Sequence, residues 1–165
     1  MWLMSERGWS AGSAGLIVMA AQLLGAAGRV AAGYWSDRLG QRLRPIRAIA
    51  AAAALSMGAL AVSDWLSSPV AVAAMVVASV ITVSDNGLAF TAIAEIAGPF
   101  WSGRALGTQN TAQHLASAVA APTFGALIGV AGYPAAFAVC ALFPLAAIPI
   151  VPADSSGSPD PAREL

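Results

Sequence analysis

The chain has 165 residues, with eight Lys or Arg balanced by eight Asp or Glu, 58% hydrophobic residues, 10% charged ones and a mean hydropathy of +0.73. So apolar and sparsely charged a chain is no ordinary soluble domain, and its surface must mostly face lipid. Zero net charge without a solvated basic face excludes a nucleic-acid binder, and a single cysteine excludes a disulfide framework or a thiolate metal site.

Met1 to Ser10 contain no basic region followed by an apolar core and a small-residue cleavage site, so they do not read as a secretory signal. An α-helix that crosses the hydrocarbon needs roughly 20 mostly apolar residues, and five stretches qualify. The first, residues 12–35, holds one charge, Arg29. The second, 46–63, is alanine-rich and barely long enough. The third, 69–97, is the most apolar; Ser68 reads as its N-cap with Pro69 at the first helical position, and Asp85, Asn86 and Glu95 interrupt its second half. The fourth, 105–131, starts polar with Thr108, Gln109, Asn110, Gln113 and His114. It then turns apolar around Pro122, where a kink is expected, and Gly125-x-x-x-Gly129, which reads as a close helix contact. The fifth, 133–151, contains Cys140, which reads as a small buried hydrophobe. Residues 152–165, rich in Pro, Ser and Asp, are expected to form a disordered tail. Because the apolar runs are continuous rather than alternating, the expected fold is all-α, an integral membrane bundle of five transmembrane helices.

Aromatic and basic residues set the boundaries and the orientation. Trp2, Trp9, Tyr34, Trp35, Trp65, Trp101 and Tyr133 all fall at or beyond span ends, where tryptophan and tyrosine collect at the bilayer surface. Arg38, Arg42, Arg44 and Arg47 follow the first span, Arg104 precedes the fourth and Arg163 lies in the tail, whereas the opposite side holds only Arg7. The bias of cations toward the cytoplasm predicts a multi-pass protein of the cell membrane, with residues 1–11 extracytoplasmic and the tail cytoplasmic.

Five of the eight basic residues lie between Gly28 and Arg47, around Gly33-x-x-x-Asp37-Arg38-x-Gly40-Gln41-Arg42. Gly33 would let a neighbouring helix approach closely. Asp37, just past the membrane edge, could meet an arginine or the positive N-terminal end of an adjacent helix. Gly40 allows the left-handed turn that reverses the chain, and Arg42, Arg44 and Arg47 hold the loop at the anionic cytoplasmic surface. A plain positive-inside loop with a glycine turn would share much of this pattern.

This segment resembles the cytoplasmic signature loop of the major facilitator superfamily, Gly-x-x-x-Asp-(Arg/Lys)-x-Gly-(Arg/Lys)-(Arg/Lys), with Gln41 in place of one cation. Gly103-Arg104-Ala105-Leu106-Gly107-Thr108-Gln109-Asn110 and Gly132-Tyr133-Pro134-Ala135-Ala136-Phe137 resemble the starts of that family's eleventh and twelfth helices. The resemblance covers helices eight to twelve, without the seventh helix or the N-terminal half. It implies the C-terminal part of a secondary transporter, which moves a small solute by alternating access and is not an enzyme. Its partners would be the lipid bilayer, a small-molecule substrate and the missing N-terminal half or a partner membrane chain. Gly33, Asp37, Arg38, Gly40 and Arg42 would gate the cytoplasmic side, with Asp37 docking onto the other half.

An ionisable group at the bilayer centre costs roughly 2.5 to 3.5 kcal/mol, so each one is weighed as a site. Arg29 lies two turns before Asp37; it either snorkels or packs between helices, or it contacts an anionic substrate or the missing half. Asp85 falls about 24 Å along its helix, in the cytoplasmic third of a core about 30 Å thick. The fourth helix enters from the same side, which brings Asp85 and Asn86 to the depth of Gln109, Asn110, Gln113 and His114. Gln109 with Gln113, and Asn110 with His114, each share a helical face. A polar network there would line a substrate path, since in the resembled family the tenth helix lines the central cavity; polar helix ends satisfied by each other and by water are the structural alternative. His114 either relays protons or is a hydrogen-bonded packing residue. Glu95 at the interface needs no special role.

Gly8-Trp9-Ser10-Ala11-Gly12 fits a serine-hydrolase pattern, but no strand precedes it and the only histidine lies in a membrane span. No metal-ligand cluster or cofactor fingerprint occurs. The competing functional reading is a non-transporting truncated membrane remnant or helical scaffold subunit.

Overall fold

The computed structural model describes residues 1–152, and no strand occurs among them. The expected tail falls almost wholly on residues 153–165, outside the described residues. One helical turn, α1 (Trp2–Ser5), precedes four long helices: α2 (Ala11–Leu39), α3 (Leu43–Trp65), α4 (Val70–Ser84) and α5 (Asn86–Ile150). Three stretches, Ala11–Leu39, Leu43–Trp65 and Val70–Ile150, are long and apolar enough to cross a membrane.

The sequence explains where each helix starts and stops. Ser10 opens α2, its hydroxyl accepting the Ser13 N–H at 3.2 Å. Gly40 closes it in the left-handed region at φ 60°, so the glycine turn occurs where the sequence placed it. The Ser68 hydroxyl accepts the Val70 N–H at 3.2 Å, but α4 begins at Val70 with Pro69 in the cap position, one residue later than expected.

Five separate spans do not appear. The expected third span is interrupted at Asp85, whose N–H bonds to Val83 O instead of a carbonyl one full turn back. The fourth and fifth lie within α5, broken only at Gly98 (φ 69°, ψ 178°) and Gly132 (φ 80°, ψ 175°). Those dihedrals belong to a region open essentially to glycine, and a proline follows within two residues in each case. The helical pieces of α5 are therefore 86–97, 99–131 and 133–150.

Packing concentrates at the two ends of the bundle. At one end Trp2, Leu3, Ala14, Leu60, Ala71 and Ala78 form a buried cluster against which Tyr133 and Phe137 pack. At the other, Ala32, Ile46, Ile49, Leu88 and Ala92 do the same, with Ile81 and Val151 alongside. Large apolar side chains elsewhere, among them Leu16, Leu23, Leu55, Leu115 and Val130, are exposed, as a lipid-facing surface requires. Trp2 departs from the expectation for interfacial aromatics: it is 6% exposed, edge-on to Phe137 with ring centroids 5.8 Å apart.

The close helix approach lies elsewhere than expected. A Cβ at Gly28 would fall 2.7 Å from the Ser84 hydroxyl and one at Gly25 2.9 Å from Val83, so these two glycines let α2 press against α4. A Cβ at Gly33, Gly125 or Gly129 would meet nothing within 4 Å, so within the described residues none of the three serves a close contact.

Candidate functional site

The signature segment is a helix end more than a loop. Asp37 and Arg38 sit in the last turn of α2, Gly40 and Gln41 reverse the chain, and Arg42 immediately precedes α3. From that position Arg42 joins three elements. One arm pairs with the Asp37 carboxylate of α2, and Nη1 also donates to the Ser36 hydroxyl at 3.1 Å. The other side forks onto Glu95 of α5, Nη2 donating to Oε1 at 3.1 Å and Nε to Oε2 at 3.3 Å, the two-pronged geometry that suits guanidinium to carboxylate. The hydrogen bonds it donates to Glu95 and then Asp37 outweigh the partial burial of Arg42 and hold its guanidinium above its ordinary range, so it is charged at every working pH. Ser36, fully buried beneath, donates to Gln41 O at 2.8 Å and ties the turn to the cluster. Arg38 lies 4.4 Å over the Tyr34 ring.

Deeper in the bundle, a cleft of about 490 Å³ opens between the α4–α5 junction and the 99–131 stretch, lined among others by Thr82, Asp85, Asn86, Gln109 and Gln113. Gln113 donates to Asn86 at 3.5 Å, and Gln109 Oε1 is buried without a hydrogen-bond partner among the described residues. Asp85 and Thr82 also border a second cleft of about 500 Å³ on the α3 side, whose walls are mostly aliphatic. Arg29 stands near the same junction, its Nε donating to Val83 O at 3.2 Å. There it supplies a cation to the carbonyl end of α4, where the helix dipole is negative.

Residues 1–164 match the family description Major Facilitator Superfamily. The chain belongs to the major facilitator superfamily. It is similar to an uncharacterized MFS-type transporter, Rv2994, of Mycobacterium tuberculosis strain H37Rv, with 56% identity over 152 residues, 92% of this chain and 34% of the relative. An uncharacterized MFS-type transporter of strain CDC 1551, MT3072, is 55% identical over the same shares of each chain. The chain thus spans about a third of the length of these curated relatives. No solved structure matches it. Membership makes it a membrane protein of a transporter family, and its long apolar helices agree.

Within this major facilitator chain, the structure brings Asp85, Asn86, Gln109 and Gln113 together but leaves Asn110 and His114 exposed on the other face of their helix. The two polar pairs, Gln109 with Gln113 and Asn110 with His114, therefore split as their spacing implied, and only one face turns toward α4. Two residues gain parts that the sequence did not assign. Glu95 is half of the Arg42 fork, and a carboxylate expected at the same membrane surface as an arginine-rich turn was the available signal. Asp64, in the last turn of α3, accepts Arg7 Nη2 at 2.7 Å and the Trp2 indole N–H at 3.1 Å. Arg7 was the only cation expected at that end, so a search for its counter-charge would have reached Asp64.

Proposed function

We propose that the chain is the C-terminal part of a secondary active transporter that moves a small solute by alternating access. In this reading residues 70–97 make one span bent at Asp85, and 99–131 and 133–150 two more, so that five spans cross the membrane with the Arg42 end cytoplasmic. The observation that carries the reading is the Arg42 fork. One residue of the signature segment ties the end of α2, the start of α3 and the first stretch of α5 into a unit. Rocking of one half-bundle against another requires each half to move as a body while its surface charges exchange partners. Asp37, whose carboxylate is largely exposed, remains accessible to the other half as well as to Arg42. Gly33, with open space over it, lies one turn before it on α2 and would face the same partner.

The substrate path in this reading is the cleft between Asp85, Asn86, Gln109 and Gln113. Asp37→Asn in a full-length carrier bearing this segment is expected to cut solute uptake into vesicles about tenfold, while insertion stays intact. Unchanged uptake would remove the gating role. If a correctly inserted full-length protein moves none of a broad panel of organic solutes in proteoliposomes, the scaffold reading replaces the carrier. A reporter fused after Leu165 that is active only outside the cytoplasm would reverse the orientation.

A further inference from the structure

Asp85 is, among the described residues, the only charged side chain lining either cleft at the α4–α5 junction. The helical ladder breaks at this residue, and none of the ion pairs among the described residues includes it. Arg29 spends its Nε on the Val83 carbonyl, and it lines neither cleft. A carboxylate at this depth is costly without a positive partner.

The cleft on the α3 side has the volume of a small-molecule site, about 500 Å³, and its walls include Ile46, Ile49, Met57 and Ile81. Those walls limit what can answer the charge. An anion would be repelled by Asp85, and a neutral apolar molecule would fill the space while leaving the carboxylate uncompensated. A small inorganic cation needs several oxygen ligands, and on the α3 side only Asp85 and the Thr82 hydroxyl stand among apolar side chains. An organic cation with an apolar body meets both demands, its charge at the carboxylate and its hydrocarbon on the wall. The neighbouring cleft extends the site with amide and hydroxyl groups from Thr82, Asn86 and Gln113, which can orient a polar substituent.

We propose that Asp85 and the aliphatic cleft of α3, α4 and the 133–150 stretch form a binding site for an amphiphilic organic cation. As a binding site it stands on this geometry alone; as a substrate class it rests on the carrier reading.

The test is equilibrium dialysis of tetraphenylphosphonium against the full chain in lipid nanodiscs, with empty nanodiscs subtracted and the similarly sized anion tetraphenylborate as control. Protein-dependent binding of the cation over the anion is expected, weakened about tenfold or more in Asp85→Asn and retained in Asp85→Glu. Ala147→Leu, which narrows the aliphatic cleft without touching a charge, is expected to weaken cation binding as well. Circular dichroism of each variant confirms that it is folded. Equal binding of cation and anion, or an Asp85→Asn protein that binds the cation as the parent does, overturns the proposal. Such failure leaves the carrier reading intact, because dialysis requires no transport. Asp85-dependent binding by a full-length protein that moves no solute would keep the site and remove the carrier.

Discussion

The two ends of the bundle each carry an arginine between carboxylate and hydroxyl or indole partners, yet they differ in what surrounds the charges. At one end the Arg7 and Asp64 side chains are 14% and 6% exposed, with Arg7 5.2 Å over the Trp2 ring and Trp2 in turn edge-on to Phe137. At the other, Arg42 is 27% exposed and its partners Asp37 and Glu95 are 64% and 51% exposed. Burial reverses the consequences of the same chemistry. Removing one member of a buried pair strands an uncompensated charge, whereas an exposed pair exchanges its contacts with water and salt at little cost. In the proposed carrier the Arg7 end would therefore serve as a fixed base, and the Arg42 end as a clamp able to open and close.

Breaking the base should have the largest effect. Asp64→Ala, which leaves the Arg7 guanidinium buried beside Trp2, is expected to lower stability by about 3 to 5 kcal/mol in thermal unfolding in detergent. Replacing both charges together, Arg7→Met with Asp64→Leu, should recover most of that loss. A double variant as unstable as the single one would show that the pair itself, rather than the stranded charge, holds this end.

The α2–α4 contact comes next. Gly28→Val places side-chain atoms where the Ser84 hydroxyl and Val80 already stand, and is expected to cost about 1 to 3 kcal/mol, while Gly33→Val should be near neutral in the isolated chain. Equal effects at the two glycines would contradict the described packing. Trp2→Phe keeps most of the ring but loses the indole N–H to Asp64, for an expected loss of about 1 kcal/mol. At the clamp, Glu95→Gln should change stability by less than about 1 kcal/mol, an effect that shrinks further as salt is raised.

Much of this contrast was legible in the sequence at the level of elements and hidden at the level of partners. Long apolar runs, the Ser10 cap and the Gly40 turn follow from local rules, because a helix in hydrocarbon must satisfy its own backbone. The breaks at Gly98 and Gly132 stand close to the expected span boundaries, for a glycine with proline shortly after it disfavours uninterrupted helix. The closure of α3 by Arg7 and Trp2 could not be read this way. It joins residues 57 and 62 positions apart, and which helix an N-terminal segment folds over is decided by tertiary packing. The close contact among the described residues was hidden for a related reason: a small residue permits a close approach, but the register of α2 on α4 selected Gly25 and Gly28 for it. The cleft was half legible. The four-residue spacing separated Gln109 and Gln113 from Asn110 and His114, but nothing local told which face turns inward.

The claim that one end is fixed and the other opens can be measured at two residues that are equally hidden. Ser36 beneath the Arg42 fork and Ala71 beneath the Trp2 cluster are both 0% exposed. With Cys140 replaced by serine, Ser36→Cys and Ala71→Cys each carry a single thiol whose alkylation by a soluble maleimide reports transient opening of its cover. A fixed base and an opening clamp predict that the Ser36→Cys protein reacts about tenfold or more faster than the Ala71→Cys protein, and faster still after Glu95→Gln. Equal rates at the two ends, or faster reaction at Ala71→Cys, would contradict the account.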